Sequence, residues 1–390
     1  MIVINDKHNC CGCGACVQTC PLSCVTMKVD KEGFCYPETD TDICTACGLC
    51  ETVCPMTGTV EKKQPDNTFI SYSSDETIRK RGSSGGMFQI IAQKVINFGG
   101  VVFGARFDDN WNVIHDYADN IEGITAFCGS KYLQSSIGNS FKQAESLLEK
   151  GKTVLFSGTP CQIHGLKKYL KKDYPNLITV DFICHGVPSP SVWQSYIGFT
   201  ANRKSTDKKH ISSINFRDKC SGWKQYSVTI KDDNNVLEST PFNRNSYMQL
   251  FLRDYILRPS CYKCSFKNGA NNSDITLGDF WGAKDIHPEL DDDKGLSICF
   301  ANTTKGTETL SELDHTVTNP LPLQDCLHKN PSYYHSAQEP LNRPSFWNSF
   351  EAKGYDGAMS FLKSIEPSAF SMFKFRIKSF FRSLTHPSSL

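Results

Sequence analysis

The residues able to do chemistry announce themselves by spacing. Cys10, Cys13, Cys16 and Cys20 stand in C-x2-C-x2-C-x3-C and are followed by Pro21. Cys44, Cys47, Cys50 and Cys54 repeat that spacing and are followed by Pro55. Three thiolates two residues apart can be aimed at one iron–sulfur cube, with Gly12, Gly14 and Gly48 relieving crowding. The fourth cysteine of each run reaches the other cluster, as in two-cluster bacterial ferredoxins. The pattern assigns Cys10, Cys13, Cys16 and Cys54 to one 4Fe–4S cluster, and Cys44, Cys47, Cys50 and Cys20 to the second. Zinc also takes C-x2-C pairs, but a single tetrahedral ion has no use for a third cysteine at that step in duplicate. Cys11, Cys24 and Cys35 lie outside the pattern and read as small buried apolar residues.

Other candidate groups are weaker as bare strings. Ser83-Ser84-Gly85-Gly86 opens a helical pattern, and Ser157-Gly158-Thr159 follows the apolar run TVLF. Turns of this kind let backbone N–H groups approach a pyrophosphate at a helix N-terminus; the same residues also simply cap helices. No G-x-G-x-x-G follows a predicted strand, so a dinucleotide-binding nicotinamide site is not supported. Cys261 and Cys264 form a C-x2-C after Pro259, Cys161 follows Gly-Thr-Pro at a strand-to-helix junction, and Cys184 ends a predicted strand. Strand-end loops of an open sheet converge on one site. Alone, a C-x2-C is equally a redox disulfide or half a zinc site, and a strand-end cysteine is ordinarily core.

These groups need elements to hold them. Residues 1–57 form a small 2×4Fe–4S unit, since a domain of that size generally needs metals or disulfides. The polar stretch 58–68, with Pro65, reads as a linker. A larger mixed body follows, divided at residues 69–150 and 151–310, with a C-terminal extension over 311–390. Phe88, Ile91, Val95 and Phe98 share one helical face ended by Gly99-Gly100; VVFGARF (101–107) is a strand. Helices over 140–150 and 162–171 alternate with strands over 153–156 and 177–183, which predicts an α/β sheet with some parallel pairing. Strands dominate after residue 210, interrupted by a helix over 247–257, so the fold class is α+β / α/β, with an α+β tail on an α/β core.

Composition bounds the rest. Lys+Arg (42) and Asp+Glu (41) nearly cancel over 390 residues, which gives no electrostatic bias toward nucleic acid. Nineteen cysteines suit disulfides in a secreted chain. However, MIVINDKHNCCGC offers no basic segment leading into an apolar one, and no apolar run reaches the roughly 18 residues that span a bilayer. The expectation is a cytoplasmic protein with reduced, metal-ligating thiols.

Several strings together carry a resemblance: RGSSGGMF (81–88), GSKYLQS (129–135), FSGTPCQIHGLK (156–167), DFICHGVPSP (181–190), RPSCYKCSF (258–266) and SDITLGDFWG (273–282). In that order, over about residues 70–300, they resemble the β subunit of coenzyme F-420 (deazaflavin) hydrogenases and dehydrogenases. The resemblance implies FAD in the body, held in part by Ser83, Ser84, Gly85, Gly86, Ser157, Gly158 and Thr159, and a third 4Fe–4S cluster on Cys161, Cys184, Cys261 and Cys264. It implies roles for Lys131, beside the flavin or an anionic substrate, and for His185, as a proton relay to reduced flavin. The plainer readings are a solvated lysine and a structural histidine. Asp279 in GDFWG orients a loop, Trp281 packs, and Arg217 in NFRDK is either a phosphate contact or an ordinary ion pair.

The function expected is an iron–sulfur flavoprotein oxidoreductase. A low-potential donor, either a redox partner protein or a ferredoxin, passes electrons through 4Fe–4S clusters to FAD and on to a deazaflavin or another small organic acceptor. The alternative is an electron-transfer subunit with no substrate of its own; a zinc-stapled binding module is a third, non-redox reading. Phe370, Phe373, Ile377, Phe380 and Leu384 share a helical face, with Lys374, Lys378 and Arg382 on another. This basic amphipathic helix suits a membrane surface or a partner, or, more plainly, packs on the body.

Overall fold

The computed structural model describes residues 1–270 and 272–366. Between the two cysteine runs, β1 (Val25–Val29) and β2 (Cys35–Thr39) pair antiparallel. Each run places its third cysteine on a one-turn helix, Ala15–Gln18 or Leu49–Thr52, and each helix starts from a left-handed glycine, Gly14 or Gly48. Residues 58–66 then carry the chain onward without regular structure.

The remaining strands, in chain order, are β3 (Asn67–Ser73), β4 (Val101–Phe107), β5 (Val113–Ala118), β6 (Val154–Ser157), β7 (Leu177–Phe182), β8 (Ile211–Asp218), β9 (Ser227–Asp232), β10 (Val236–Pro241), β11 (Ile275–Asp279), β12 (Ser297–Ala301) and β13 (Thr316–Pro320). Eight of these form one sheet in the order β13–β3–β12–β11–β7–β6–β4–β5. Its centre, β11–β7–β6–β4, is parallel, and its flanks are antiparallel. The mixed α/β fold is therefore present, but the later strands do not make a separate tail. β11, β12 and β13 return to the main sheet, and only the meander β10–β9–β8 stands apart. Sequence periodicity reports faces, not partners, so this return was not readable.

Side-chain alternation builds the two layers. Val101, Phe103, Val154, Phe156 and Leu177 face the helices Ser140–Glu149 and Pro160–Leu170. Val102, Leu155, Val180 and Ile275 face the helix Met87–Asn97 through Ile91 and Val95. Strands covered on both faces read as continuous apolar runs, and each fully buried side chain of this kind contributes roughly 1.5–3 kcal/mol. Cys11, Cys13, Ala15 and Val53 belong to the first of these cores. The cysteine-rich module is thus built into the body.

The helix expected over 247–257 ends early, as Ser246–Leu252. Asp254 takes a left-handed φ of 65°, and the Tyr255 N–H returns to the Leu250 carbonyl at 3.0 Å, a closure of the Schellman type. Residues Met1–Glu339 make one compact unit, and a second starts at Pro340. In the second, the helical stretch Arg343–Ile365 breaks at Gly354 (φ 56°), and Phe346 meets Phe361 edge-on at 5.5 Å. The basic amphipathic helix expected after residue 366 lies outside the described residues. No described helix is long and apolar enough to cross a membrane.

The repeat makes one error visible. Ala46 occupies the place of Gly12 and adopts φ 53°, in the region only glycine enters freely. Ala46 is exposed, so Ala46→Gly is expected to raise unfolding stability by about 0.5–1 kcal/mol without changing cluster content. Thermal unfolding with iron analysis checks this.

Candidate functional site

The fourth cysteine of each run crosses to the other run's group. Cys16 has Cys10 and Cys54 as neighbours, and Cys54 has Cys10. Cys20, Cys44, Cys47 and Cys50 line one concavity with Met1, Pro21 and Leu22. Burial, then the nearby Cys10 and Cys54 sulfurs, push the Cys16 thiol up to about 12. Crowded, buried thiols of this kind cannot all ionise unless a cationic centre joins them. The donor set fits an iron–sulfur cube. Among the described residues, no three Cys, His, Asp or Glu side chains close to the distance that holds a single metal ion.

A second set of thiols gathers at the end of the parallel strands. β6 and β7 are adjacent and parallel, so their C-terminal ends are neighbours. Cys161 begins the helix after β6, and Cys184 follows β7 directly. Cys261 and Cys264 arrive on the 3-10 turn Pro259–Lys263 and its cap. The four lie close enough to act on one another: burial raises Cys184 well above the usual thiol range, and Cys261, Cys161 and Cys264 add to it. Burial, with Cys264 and Cys161, raises Cys261 to about 12. The Val187 N–H points at the Cys261 sulfur at 3.4 Å, and Lys267 Nζ holds the carbonyls of Cys184 and Ser332.

The two regions meet at Arg258, which is fully buried. Its Nε donates to Cys10 O at 2.7 Å, Nη1 to Gln134 Oε1 at 2.9 Å and Nη2 to Cys35 O at 2.9 Å, with the Cys10 sulfur 3.5 Å away. A Cβ on Gly12 would stand 2.8 Å from this guanidinium, so the glycine is required for close approach. Cys11 is within hydrogen-bond reach of both Cys13 and Cys161, and Gly165 lets Cys13 pack against the helix Pro160–Leu170. Gln18 Oε1 accepts from the N–H groups of Phe141 and Lys142 and so caps a body helix. The sequence marked Cys11 and Cys24 only as buried; Cys24 in fact lies 3.3 Å from Cys20.

The residues expected around a flavin fall into linked but distinct roles. Ser84 Oγ donates to Leu296 O at 2.7 Å, and Gly85 N–H donates to Ser297 Oγ at 2.9 Å, which fastens the turn to β12. Ser83 Oγ meets Ser130 Oγ at 2.8 Å, and Gly86 caps the helix Met87–Asn97 with φ 87°. Ser157 Oγ donates to Phe103 O, the Ser157 carbonyl accepts from His115 Nε2 at 3.0 Å, and Thr159 N–H donates to Gln162 Oε1. A Cβ on Gly158 would stand 3.6 Å from His115 Nε2. Among the described residues Lys131 Nζ reaches only the Cys128 and Gly129 carbonyls, and burial lowers it to about 8. His185 Nε2 pairs with Asp254 Oδ1 at 2.6 Å, and its Nδ1 lies 3.3 Å from Ser332 Oγ.

Five residues from later in the chain enter this region. Arg217 pairs with Asp279 at 2.7 Å, and Trp223 stacks on Trp281 with ring centres 4.6 Å apart. The Trp223 indole N–H holds Ser83 O at 3.1 Å, and Arg217 Nη1 lies 3.4 Å from the Tyr132 hydroxyl. Phe251 bridges Tyr132 and His185, with ring centres 5.1 and 5.2 Å away. NFRDK was the only sequence signal for Arg217, and Trp223, in NFRDK-x2-GW, had none of its own.

Comparison with known proteins bears on the same stretch. Residues 151–318 match the family model for the C-terminal part of the coenzyme F420 hydrogenase/dehydrogenase beta subunit. Residues 37–56 match the model of a 4Fe-4S binding domain. The family resemblance read from the motifs is met there; the strings at 81–88 and 129–135 precede the first match. No curated protein matches the chain. One solved structure that aligns with it is the xenon-derivatised F420-reducing [NiFe] hydrogenase complex from Methanosarcina barkeri. That alignment has 17% identity and a TM-score of 0.47, and it covers 78% of this chain and 93% of that one.

Arg258→Lys keeps the charge but loses donors to Gln134, Cys10 and Cys35. The expected cost is about 2–4 kcal/mol of stability, with slower iron incorporation than in the wild type. Thermal unfolding and iron uptake under matched reconstitution measure both; unchanged values would remove Arg258 from the seam.

Proposed function

We propose that this iron–sulfur protein is a flavin-dependent oxidoreductase that takes single electrons from a protein donor and delivers them in pairs to a small organic acceptor such as a deazaflavin. The observation that supports it is the contact order of three cysteine groups in one chain. The outermost, with Cys20, Cys44, Cys47 and Cys50, includes the exposed Cys47. The middle one, with Cys10, Cys13, Cys16 and Cys54, is tied by Arg258 and Cys11 to the innermost, with Cys161, Cys184, Cys261 and Cys264. When bound, 4Fe–4S clusters supply one-electron transfer and FAD couples single electrons to a two-electron hydride.

This chain's own residues do the rest. The Ser157–Thr159 turn leads into the inner group, with Thr159 Oγ1 3.1 Å from the Cys161 sulfur, while the Ser83–Gly86 turn is fastened to β12, Ser130 and Trp223. Asp254 accepts from His185 Nε2 and so fixes the ring's orientation, which leaves Nδ1, beside Ser332 Oγ, as the nitrogen suited to exchange a proton with a reduced ring. Lys131 presents a cation with no carboxylate partner among the described residues, beside the Ser130–Ser83 contact, which suits an anionic cofactor or substrate.

One observation favours the second reading, an electron-transfer subunit that works with other proteins. Leu22 and Ile43, 46% and 52% exposed, flank the outer cysteine group, and apolar side chains beside a redox centre suit a protein partner.

Anaerobic iron and flavin analysis with an absorption spectrum tests the main reading. About twelve irons and one FAD per chain are expected, and the double variant Cys184→Ala/Cys261→Ala should lose about four irons. An iron count of about eight in the wild type would remove the third cluster, and a flavin-free protein would remove FAD. Turnover with an artificial donor separates the enzyme from the subunit. Lys131 loses its proton near pH 8 rather than 10.5, so anion affinity there should fall as pH rises through 8. Lys131→Met should flatten that dependence, as read by flavin release against pH.

A further inference from the structure

Arg217 is the penultimate residue of β8, with its side chain 2% exposed. One corner of its guanidinium is taken, Nη1 donating to Asp279 Oδ2 at 2.7 Å. Its faces are taken as well, by the rings of Tyr226 and Trp281 with centres 4.5 and 5.0 Å from Cζ. What remains is the edge bearing Nε–H and Nη2–H. Both nitrogens are buried, and neither finds a hydrogen-bond partner among the described residues.

Such an arrangement is expensive in a finished site. A buried ion costs several kcal/mol unless its donors are matched, and each unmatched donor adds about 1–3 kcal/mol. The Nε/Nη2 edge is a flat fork of parallel N–H bonds, the geometry that takes two oxygens of one carboxylate or phosphoryl group. Lys219, two residues on, lies near both Arg217–Asp279 and the Arg79–Asp292 pair; burial lowers it to about 7, and its Nζ holds Arg79 O, Ser84 O and Lys294 O. The two arginines are matched by the two carboxylates, so any surplus of charge here is positive and rests on Lys219. Trp223, stacked on Trp281, holds Ser83 O, which ties the Ser83–Gly86 turn to the same neighbourhood.

We propose that the Nε/Nη2 edge of Arg217 is an oxyanion receptor for a phosphoryl group. The group comes either from the pyrophosphate of FAD, in which case the inference rests on the flavin reading above, or from a phosphate carried by the acceptor. Asp279 and the two rings are positioning residues that hold the fork in its plane.

The test uses the full chain, cluster-loaded and stripped of flavin, in calorimetric titrations with pyrophosphate, FAD and riboflavin. Arg217→Lys keeps the charge and loses the fork. It is expected to weaken pyrophosphate and FAD by about ten- to a hundredfold and to leave riboflavin unchanged. Asp279→Asn, which leaves the arginine in place, should retain or tighten pyrophosphate binding, and it serves if the arginine variant fails to load clusters. Pyrophosphate weakened with FAD unchanged assigns the receptor to the acceptor's phosphate. Wild type that binds pyrophosphate but not FAD removes the flavin reading and keeps the receptor. Equal pyrophosphate affinity in wild type and Arg217→Lys, no pyrophosphate binding at all, or a tenfold loss in Asp279→Asn overturns the proposal.

Discussion

A guanidinium that water does not reach holds the cysteine-rich module and the body in one register. Arg258 has no exposed surface, yet it donates to two backbone carbonyls and a side-chain amide, and it touches a ligand-type sulfur. The rings of Tyr36 and Phe34 stand 4.3 and 5.4 Å from its centre. A charge in that setting is tolerable only while all of its partners stay in place. Gly12 must therefore lack a side chain, Gln134 must point inward, and Pro259–Lys263 must turn where it does. The cysteines on either side of the arginine inherit their positions from it.

The thiols supply a complementary constraint. Cys161, Cys184 and Cys261 are half-buried and held high by desolvation and by neighbouring thiols, so they gain most from a centre that stabilises thiolate. Arg258, a fixed cation next to Cys10, Cys11 and Cys261, offsets part of the repulsion that anionic cysteine groups on its two sides exert. Cation and thiols make one electrostatic unit, and the parallel strands β6 and β7 provide its floor.

Local chemistry was legible in the sequence wherever covalent spacing decides geometry. The eight N-terminal cysteines, the apolar runs of β4 and β6 and the helix after Gly86 are of that kind. Long-range closure was not legible. Nothing near Cys11 says that it will meet Cys161, and nothing near Gln18 says that it will cap a body helix. The helix over 247–257 failed for a local reason, the left-handed Asp254, and that failure is what turns Asp254 toward His185. Trp223 drew no reading and Arg217 stayed divided between a phosphate contact and an ion pair, because the indole N–H and the guanidinium edge acquire meaning only beside Ser83 and Asp279.

The seam also orders the life of the chain before it is folded. The Cys10 carbonyl waits for a donor 248 residues downstream, and the other buried members of the core that Cys11, Cys13, Ala15 and Val53 join lie between Val101 and Leu177. A ribosome therefore releases the first cysteine runs long before anything exists to bury them. Contacts of such sequence separation form late and slowly, so the nascent thiols pass through an interval in which they are exposed to oxidants and stray metals. Maturation of this protein is consequently a matter of timing: delivery of iron and sulfide has to bridge the gap between synthesis of the first cysteine and arrival of the arginine that seals it in.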